Sequence, residues 1–157
     1  MRTAFKICLL TAIMILFPSP LSEHYISKAE APTKTLAEYS VLELIDYYSS
    51  IYRQDPVLLK KVAWCESQYE KDLPGDGGRA YSVFQIHKPT FEQWSKEMGE
   101  LLDYGNYQDH IKVATWAFAQ GEEYRKKWTT YVAIKNGGTY SFYSKLLKKH
   151  FTVFCKL

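Results

Sequence analysis

Glu66 is the residue of this chain best placed for acid chemistry. Stepping by four through Leu58 and Val62 reaches Glu66, so an apolar helical stripe that should face a core ends in a carboxyl group. A carboxyl so placed loses water on one side and lies near a helix C-terminus, whose partial negative charge also opposes ionisation. Both effects raise its pKa. An acid that keeps its proton near neutral pH can give it to a leaving oxygen, which is what breaking a glycosidic bond requires. Trp64 and Tyr69 are candidates for apolar cover over the group. Taken alone, a glutamate at a helix end is more often a solvated edge residue, so the reading depends on its company.

That company falls into three blocks. Glu66 is followed by Ser67; a glycine-rich turn then leads to Arg79-Ala80-Tyr81-Ser82-Val83-Phe84-Gln85-Ile86 and Pro89-Thr90; further on comes Trp128-Thr129-Thr130-Tyr131-Val132-Ala133-Ile134-Lys135-Asn136-Gly137-Gly138. In this order the blocks resemble the soluble lytic transglycosylase and goose-type lysozyme superfamily. There a helix ending in Glu-Ser precedes a Gly-[Leu/Val/Ile]-[Met/Phe]-Gln-[Ile/Val] segment and an Ala-Tyr-Asn-x-Gly region. The resemblance covers roughly residues 40 to 150, the size of one domain.

The resemblance implies a mainly α, lysozyme-like helical domain with at most a small β-hairpin. It also implies cleavage of the MurNAc-GlcNAc β-1,4 bond of peptidoglycan, with Glu66 as general acid and base. Ser67, Gln85 and Asn136 would orient the glycan, and Phe84 and Tyr81 would line the sugar groove. Plainer readings stand beside these. Ser67 suits a helix-end hydroxyl bonding its own backbone, Gln85 a strand's wet face, and Phe84 ordinary core packing. Two positions depart from the pattern: Ser82 replaces the usual glycine and Lys135 the usual tyrosine. Tyr131, one helical turn before Lys135, is a substitute if that stretch is helical. Both departures bear on substrate affinity more than on the fold.

Two chemistries share such an acid. A hydrolase that inverts needs a second carboxylate to activate water. A lytic transglycosylase uses the muramyl 6-hydroxyl instead, leaves a 1,6-anhydro sugar and needs one glutamate. Asp76, in Gly75-Asp76-Gly77, resembles one water-positioning carboxylate of goose-type lysozymes, although an aspartate is also an ordinary residue of a glycine-rich turn. Where that family has a second aspartate, this chain has His87, which reads as a surface residue. The set favours a transglycosylase, with a muramidase or a non-catalytic peptidoglycan-binding module as the alternatives.

The elements that must position these residues are helical in pattern. Thr35 and Glu38 form a T-x-x-E capping box ahead of Leu44, Ile45, Tyr48 and Ile51 at helical spacing. Asp55-Pro56 caps and opens the helix that carries Glu66. Leu73 to Arg79 is turn chemistry, Tyr81 to Ile86 an extended run, and helices follow from Pro89 or Thr90 toward Met98, through Ile111 to Phe118, and over Tyr143, Leu146 and Leu147.

The chain has 157 residues, 46% of them hydrophobic, enough for one core. Arg2 and Lys6 ahead of the apolar run Ile7 to Phe17 resemble an export signal, so residues 1–22 are expected to be a signal peptide or signal anchor. Residues 23–34 read as a linker, and 35–157 as the domain. The protein is therefore expected to be secreted, periplasmic or held in the cell envelope. The formal charge of +3 includes Arg2 and Lys6; without them 18 basic residues face 17 acidic ones, and nucleic acid is excluded as a partner. With Cys8 in the signal, Cys65 and Cys155 remain as a possible disulfide. His24, His87, His110 and His150 show no paired ligand spacing, so no metal or cofactor is expected. The expected partner is the peptidoglycan strand, bound by a monomer.

Overall fold

Two capping boxes in succession set the start of the fold. In the computed structural model, which describes residues 34–144 and 148–155, the Glu38 carboxylate accepts the Thr35 backbone N–H at 2.8 Å, and Glu43 accepts that of Ser40 at 2.8 Å. The first box caps only a single 3-10 turn, Leu36–Glu38. The second, in which Ser40 Oγ also accepts the Glu43 N–H, opens α1 (Val41–Tyr52). The helix expected from Thr35 begins later because Tyr39 is extended, with φ −77° and ψ 137°. Asp55 Oδ1 accepts the Val57 N–H at 2.8 Å, and Pro56 starts α2 (Pro56–Ser67).

Among the described residues α3 (Lys88–Met98), α4 (Tyr107–Ala119), α5 (Glu122–Arg125) and α6 (Thr129–Lys135) follow. Asn106 caps α4 by accepting the Gln108 N–H. Buried residues fall on most faces of α4, from His110 to Phe118, which makes it the central helix, with α1 packed along it. Leu44, Ile45, Leu59, Val62, Phe84, Phe91 and Phe118 are fully buried around it. Each such side chain stabilises the fold by about 1.5–3 kcal/mol.

Five strands complete the fold among the described residues. β1 (Pro74–Gly75), β2 (Ala80–Tyr81) and β3 (Ile86–His87) form an antiparallel sheet in the order β1-β2-β3. β4 (Thr139–Ser144) pairs with β5 (Lys149–Phe154) from Thr139 opposite Phe154 to Ser144 opposite Lys149. The chain is thus a mixed α/β domain with two antiparallel sheets, which overturns the expectation of a mainly α domain with at most one small hairpin. The last helix expected at Tyr143 is strand β4, because Thr139 to Phe142 alternates hydroxyl and aromatic residues with period two and the run to Ser144 has a partner to pair with. Leu146 and Leu147 lie outside the described residues, as do Cys8 and the expected export segment and linker up to Thr33. Among the described residues no helix is long and apolar enough to cross a membrane.

A disulfide joins Cys65 in the last turn of α2 to Cys155 just after β5, with 5.7 Å between Cα atoms across 90 positions of sequence. The Cys155 N–H also donates to the Gly138 carbonyl at 2.9 Å. In the chain-entropy account a loop of this length contributes about 4–5 kcal/mol. We expect the double variant Cys65→Ser, Cys155→Ser to lose several kcal/mol in urea denaturation. A loss below about 1 kcal/mol, the size of an ordinary point substitution, would mean that packing alone holds the hairpin.

Candidate active site

Three consecutive residues at the end of α2 point three ways, because neighbours on a helix are separated by about 100°. Cys65 enters the disulfide. Ser67 is buried and donates to the Val83 carbonyl at 2.8 Å and the Ala63 carbonyl at 3.2 Å, clamping the helix end to the 82–85 turn. Between them, Glu66 lines a cleft of about 420 Å³. Helix α2 stops one residue later, where Gln68 and Tyr69 take left-handed φ values of 54° and 68°.

Removal from water pushes the Glu66 carboxyl up to about pKa 7. One bond opposes this: the Thr130 hydroxyl, from the first turn of α6, donates to Glu66 Oε1 at 2.5 Å and favours the ionised form. Trp94 and Trp128, buried in the core with ring centroids 5.4 Å apart, back one side of the cleft, and Trp128 is fixed by donating to the Phe84 carbonyl at 2.8 Å. Trp64, expected as cover for Glu66, is instead 42% exposed and rests on Tyr69; neither lines the cleft. The apolar walls come from Ala80, Ile86, Trp94 and Trp128.

Gln85 and Asp76 share this cleft with Glu66. Gln85 donates both amide hydrogens, to the Leu73 carbonyl at 2.9 Å and the Ser82 carbonyl at 2.8 Å. Its Oε1 then lies where a Cβ on Gly75 would fall only 1.7 Å away, so glycine at 75 is what lets the amide reach its place. Asp76 is ion-paired with Arg79 at 2.8 Å and faces His87 Nε2 at 3.3 Å. His87, read as a surface residue, also lines the cleft.

The other expected site residues lie elsewhere. Phe84 is fully buried in the core. Tyr81 donates to Asp72 at 2.7 Å and packs on Tyr104. Tyr131 is buried against Phe118, and its hydroxyl donates to Glu122 at 2.7 Å; on α6 it is Thr130, one position earlier, that meets Glu66. Asn136 is exposed at the C-terminal end of α6, away from the cleft lining. Thr130, Trp94 and Lys127 were missed. Only Thr130 left a trace in the sequence, as a hydroxyl next to the tyrosine proposed as a substitute.

The two positions that differ from the motif, Ser82 and Lys135, both lie outside the cleft lining. Ser82 is fully buried with φ 67°, outside the cleft lining, and its Oγ has no partner among the described residues. Lys135 pairs with Glu122 at 2.9 Å, away from the cleft. Asp76 and Gln85 also have positive φ, 50° and 49°, so left-handed non-glycine residues gather around this site. Among the described residues no group of His, Cys, Asp and Glu is arranged to hold a metal ion. No protein-family model, curated protein or solved structure matches the chain.

Burial also acts on His110, which sits between the rings of Phe91 and Tyr104, with Nε2 2.7 Å from the Tyr104 carbonyl and Nδ1 without a partner among the described residues. Its pKa falls to about 4. Glu66, raised, contributes stability that is complete below pH 4.5 and lost as pH rises through 7. His110, depressed, contributes stability that is complete above pH 6.5 and lost as pH falls through 4. Each effect is about 3 kcal/mol, so between pH 4.5 and 6.5 they offset one another. We predict that Glu66→Gln gains on the parent by about 3 kcal/mol between pH 4.5 and 7, measured by denaturation across pH. A pH-independent difference would show that Glu66 titrates normally in the folded protein.

Proposed function

We propose that this chain cleaves the glycan strands of peptidoglycan as a lytic transglycosylase, with Glu66 as general acid and then base. The observation that carries the reading is a desolvated carboxyl, held near pKa 7, opening on a cleft that it shares with Gln85 and Asp76. The three motif blocks around it support the substrate class. The export-like N-terminus and the Cys65–Cys155 disulfide support a protein working outside the cytoplasm.

The steps follow from the group's two states. Protonated Glu66 gives its proton to the glycosidic oxygen as the bond from that oxygen to the muramyl C1 breaks, leaving an oxocarbenium-like centre. The Glu66 carboxylate formed at that moment accepts the Thr130 hydroxyl bond. It then takes the proton of the muramyl 6-hydroxyl while that oxygen bonds to C1. The products are a 1,6-anhydromuramyl end and a free sugar hydroxyl, and Glu66 is again protonated.

One observation favours a second reading. Asp76 shares the cleft with Glu66 and has His87 beside it, so a water held there could lose its proton to Asp76 and give hydrolysis. Mass analysis of digested murein separates the two: anhydro ends are lighter by one water than hydrolytic, reducible ends.

Glu66→Gln keeps the shape and removes the proton, and should lower turnover by about 10²–10⁴ while glycan binding persists. Retained activity would remove Glu66 from the mechanism. In the parent, kcat/KM should fall tenfold per pH unit above about 7 as Glu66 ionises. Thr130→Val removes a bond that favours the carboxylate and should move this alkaline limb to higher pH. A fall in kcat with an unmoved limb would assign Thr130 a structural role only.

A further inference from the structure

The positive charge of this chain is concentrated toward its C-terminal end. After Glu123 the sequence holds eight Lys and Arg and no Asp or Glu, whereas residues 1–123 hold 12 Lys and Arg against 17 Asp and Glu. Part of the excess is neutralised within the fold, where Lys126 pairs with Glu123 and Lys135 with Glu122. Lys148 and Lys149 are different. Both are exposed at the far end of the β4–β5 hairpin, and among the described residues no carboxylate lies within 4.0 Å of either ammonium.

The hairpin beside them has two unlike faces. Tyr140, Phe151 and Val153 are half-buried on the side that meets α6, whereas Thr139, Ser141, Tyr143, His150, Thr152 and Phe154 are exposed on the other. This outer face is built in rungs: Thr139 lies opposite Phe154, Ser141 opposite Thr152, and Tyr143 opposite His150. Phe154 is 68% exposed and Tyr143 50%. Aromatic rings standing in water beside unpaired ammonium groups match the boundary of a lipid bilayer, where rings settle among the headgroups and lysines meet anionic lipid. The central rung suits that boundary too. Its Ser141 and Thr152 hydroxyls bond each other at 2.9 Å, which lowers the cost of taking them out of water. A soluble polyanion would engage the lysines and leave Phe154 in water.

We propose that the outer face of the β4–β5 hairpin docks on a membrane rich in anionic phospholipid, with Tyr143 and Phe154 entering the headgroup layer and Lys148 and Lys149 holding lipid phosphates. Apolar contact and a basic cluster are two weak signals that together give reversible attachment. The Cys65–Cys155 disulfide ties the base of the hairpin to α2, so the face docks as part of the domain. None of these residues lines the Glu66 cleft, and the proposal is independent of how Glu66 acts.

The test uses the full chain with bicelles of phosphatidylcholine, alone or in equal mixture with phosphatidylglycerol, each carrying a spin-labelled lipid. In anionic bicelles the amide resonances of Tyr143, Thr152 and Phe154 should broaden more than those of Leu42 and Tyr47, exposed on α1, and in neutral bicelles this excess should shrink. A local readout separates the hairpin from the apolar run Ile7 to Phe17, which every variant keeps. Affinity is read from the excess broadening as lipid is titrated. Lys148→Gln with Lys149→Gln should weaken binding to anionic lipid about fivefold per lysine, and added salt should erase the difference from the parent. Phe154→Ser should weaken it at every salt concentration. The proposal is overturned if the hairpin resonances broaden no more than those of α1, or if either variant keeps the parent's affinity. It is also overturned if dissolved polyglycerol phosphate shifts these resonances while anionic bicelles do not, an outcome that makes a phosphodiester polymer the partner.

Discussion

A carboxyl that is dry enough to keep its proton near neutral pH and still open on a cleft is the constraint on which this structure depends. The two demands conflict, since any opening admits the water that would lower the pKa. Glu66 meets them by position. Val62, one turn earlier on the same stripe, is fully buried, and one position past Glu66 the clamped Ser67 closes the helix. The carboxyl therefore lies at the border of core and cleft. Its neighbours in sequence fix that border: Cys65 ties the helix end to the C-terminal hairpin, and Ser67 ties it to the turn that presents Gln85. Rotation of this last turn would break both anchors at once.

The price of this arrangement is visible in the backbone. Gln68, Tyr69, Asp76, Ser82 and Gln85 all have positive φ, in a region where side chains other than glycine are uncommon. The strain has a common origin. The chain leaves α2 abruptly, crosses a three-stranded sheet whose strands have two residues each, and enters α3 at Lys88. So short a path allows only tight reversals. It returns Ile86 and His87 to the cleft opposite Glu66, which a relaxed, longer loop would not hold in place.

Much of the helical frame was legible in the sequence. Asp55-Pro56, Pro89 and the apolar spacing of Leu44, Ile45 and Tyr48 are local signals, and local hydrogen bonds satisfy them. Glu66 was legible for a similar reason, since its burial follows from a stripe on one helix. What sequence could not show was which way the third block turns. Whether Tyr131 or Thr130 faces Glu66 depends on the roll of α6, set by Phe118 packing on Tyr131 and by the Glu122 bond. The C-terminal sheet escaped because its alternating aromatic pattern is short and its partner strand lies several residues on. Trp94 and Lys127 gave no signal, because they reach the cleft from elements whose own patterns say only helix and turn.

Ser82 and Lys135 show how far a family pattern can be carried by residue type alone. In the pattern the glycine reads as room for substrate, yet the left-handed φ of Ser82 gives a different reason for it: a backbone conformation that glycine adopts without cost. The Ser82 backbone is held on both sides, its N–H donating to the Leu73 carbonyl at 3.1 Å and its carbonyl accepting from Gln85. The turn therefore survives a side chain. The cost is about 1–2 kcal/mol for the conformation, together with a buried hydroxyl that lacks a partner. Lys135 likewise pairs with Glu122 at the surface, and the same carboxylate accepts the hydroxyl of the buried Tyr131, which sets the roll of α6. Neither residue lines the cleft on which Glu66 opens, so what each does here is done through the fold.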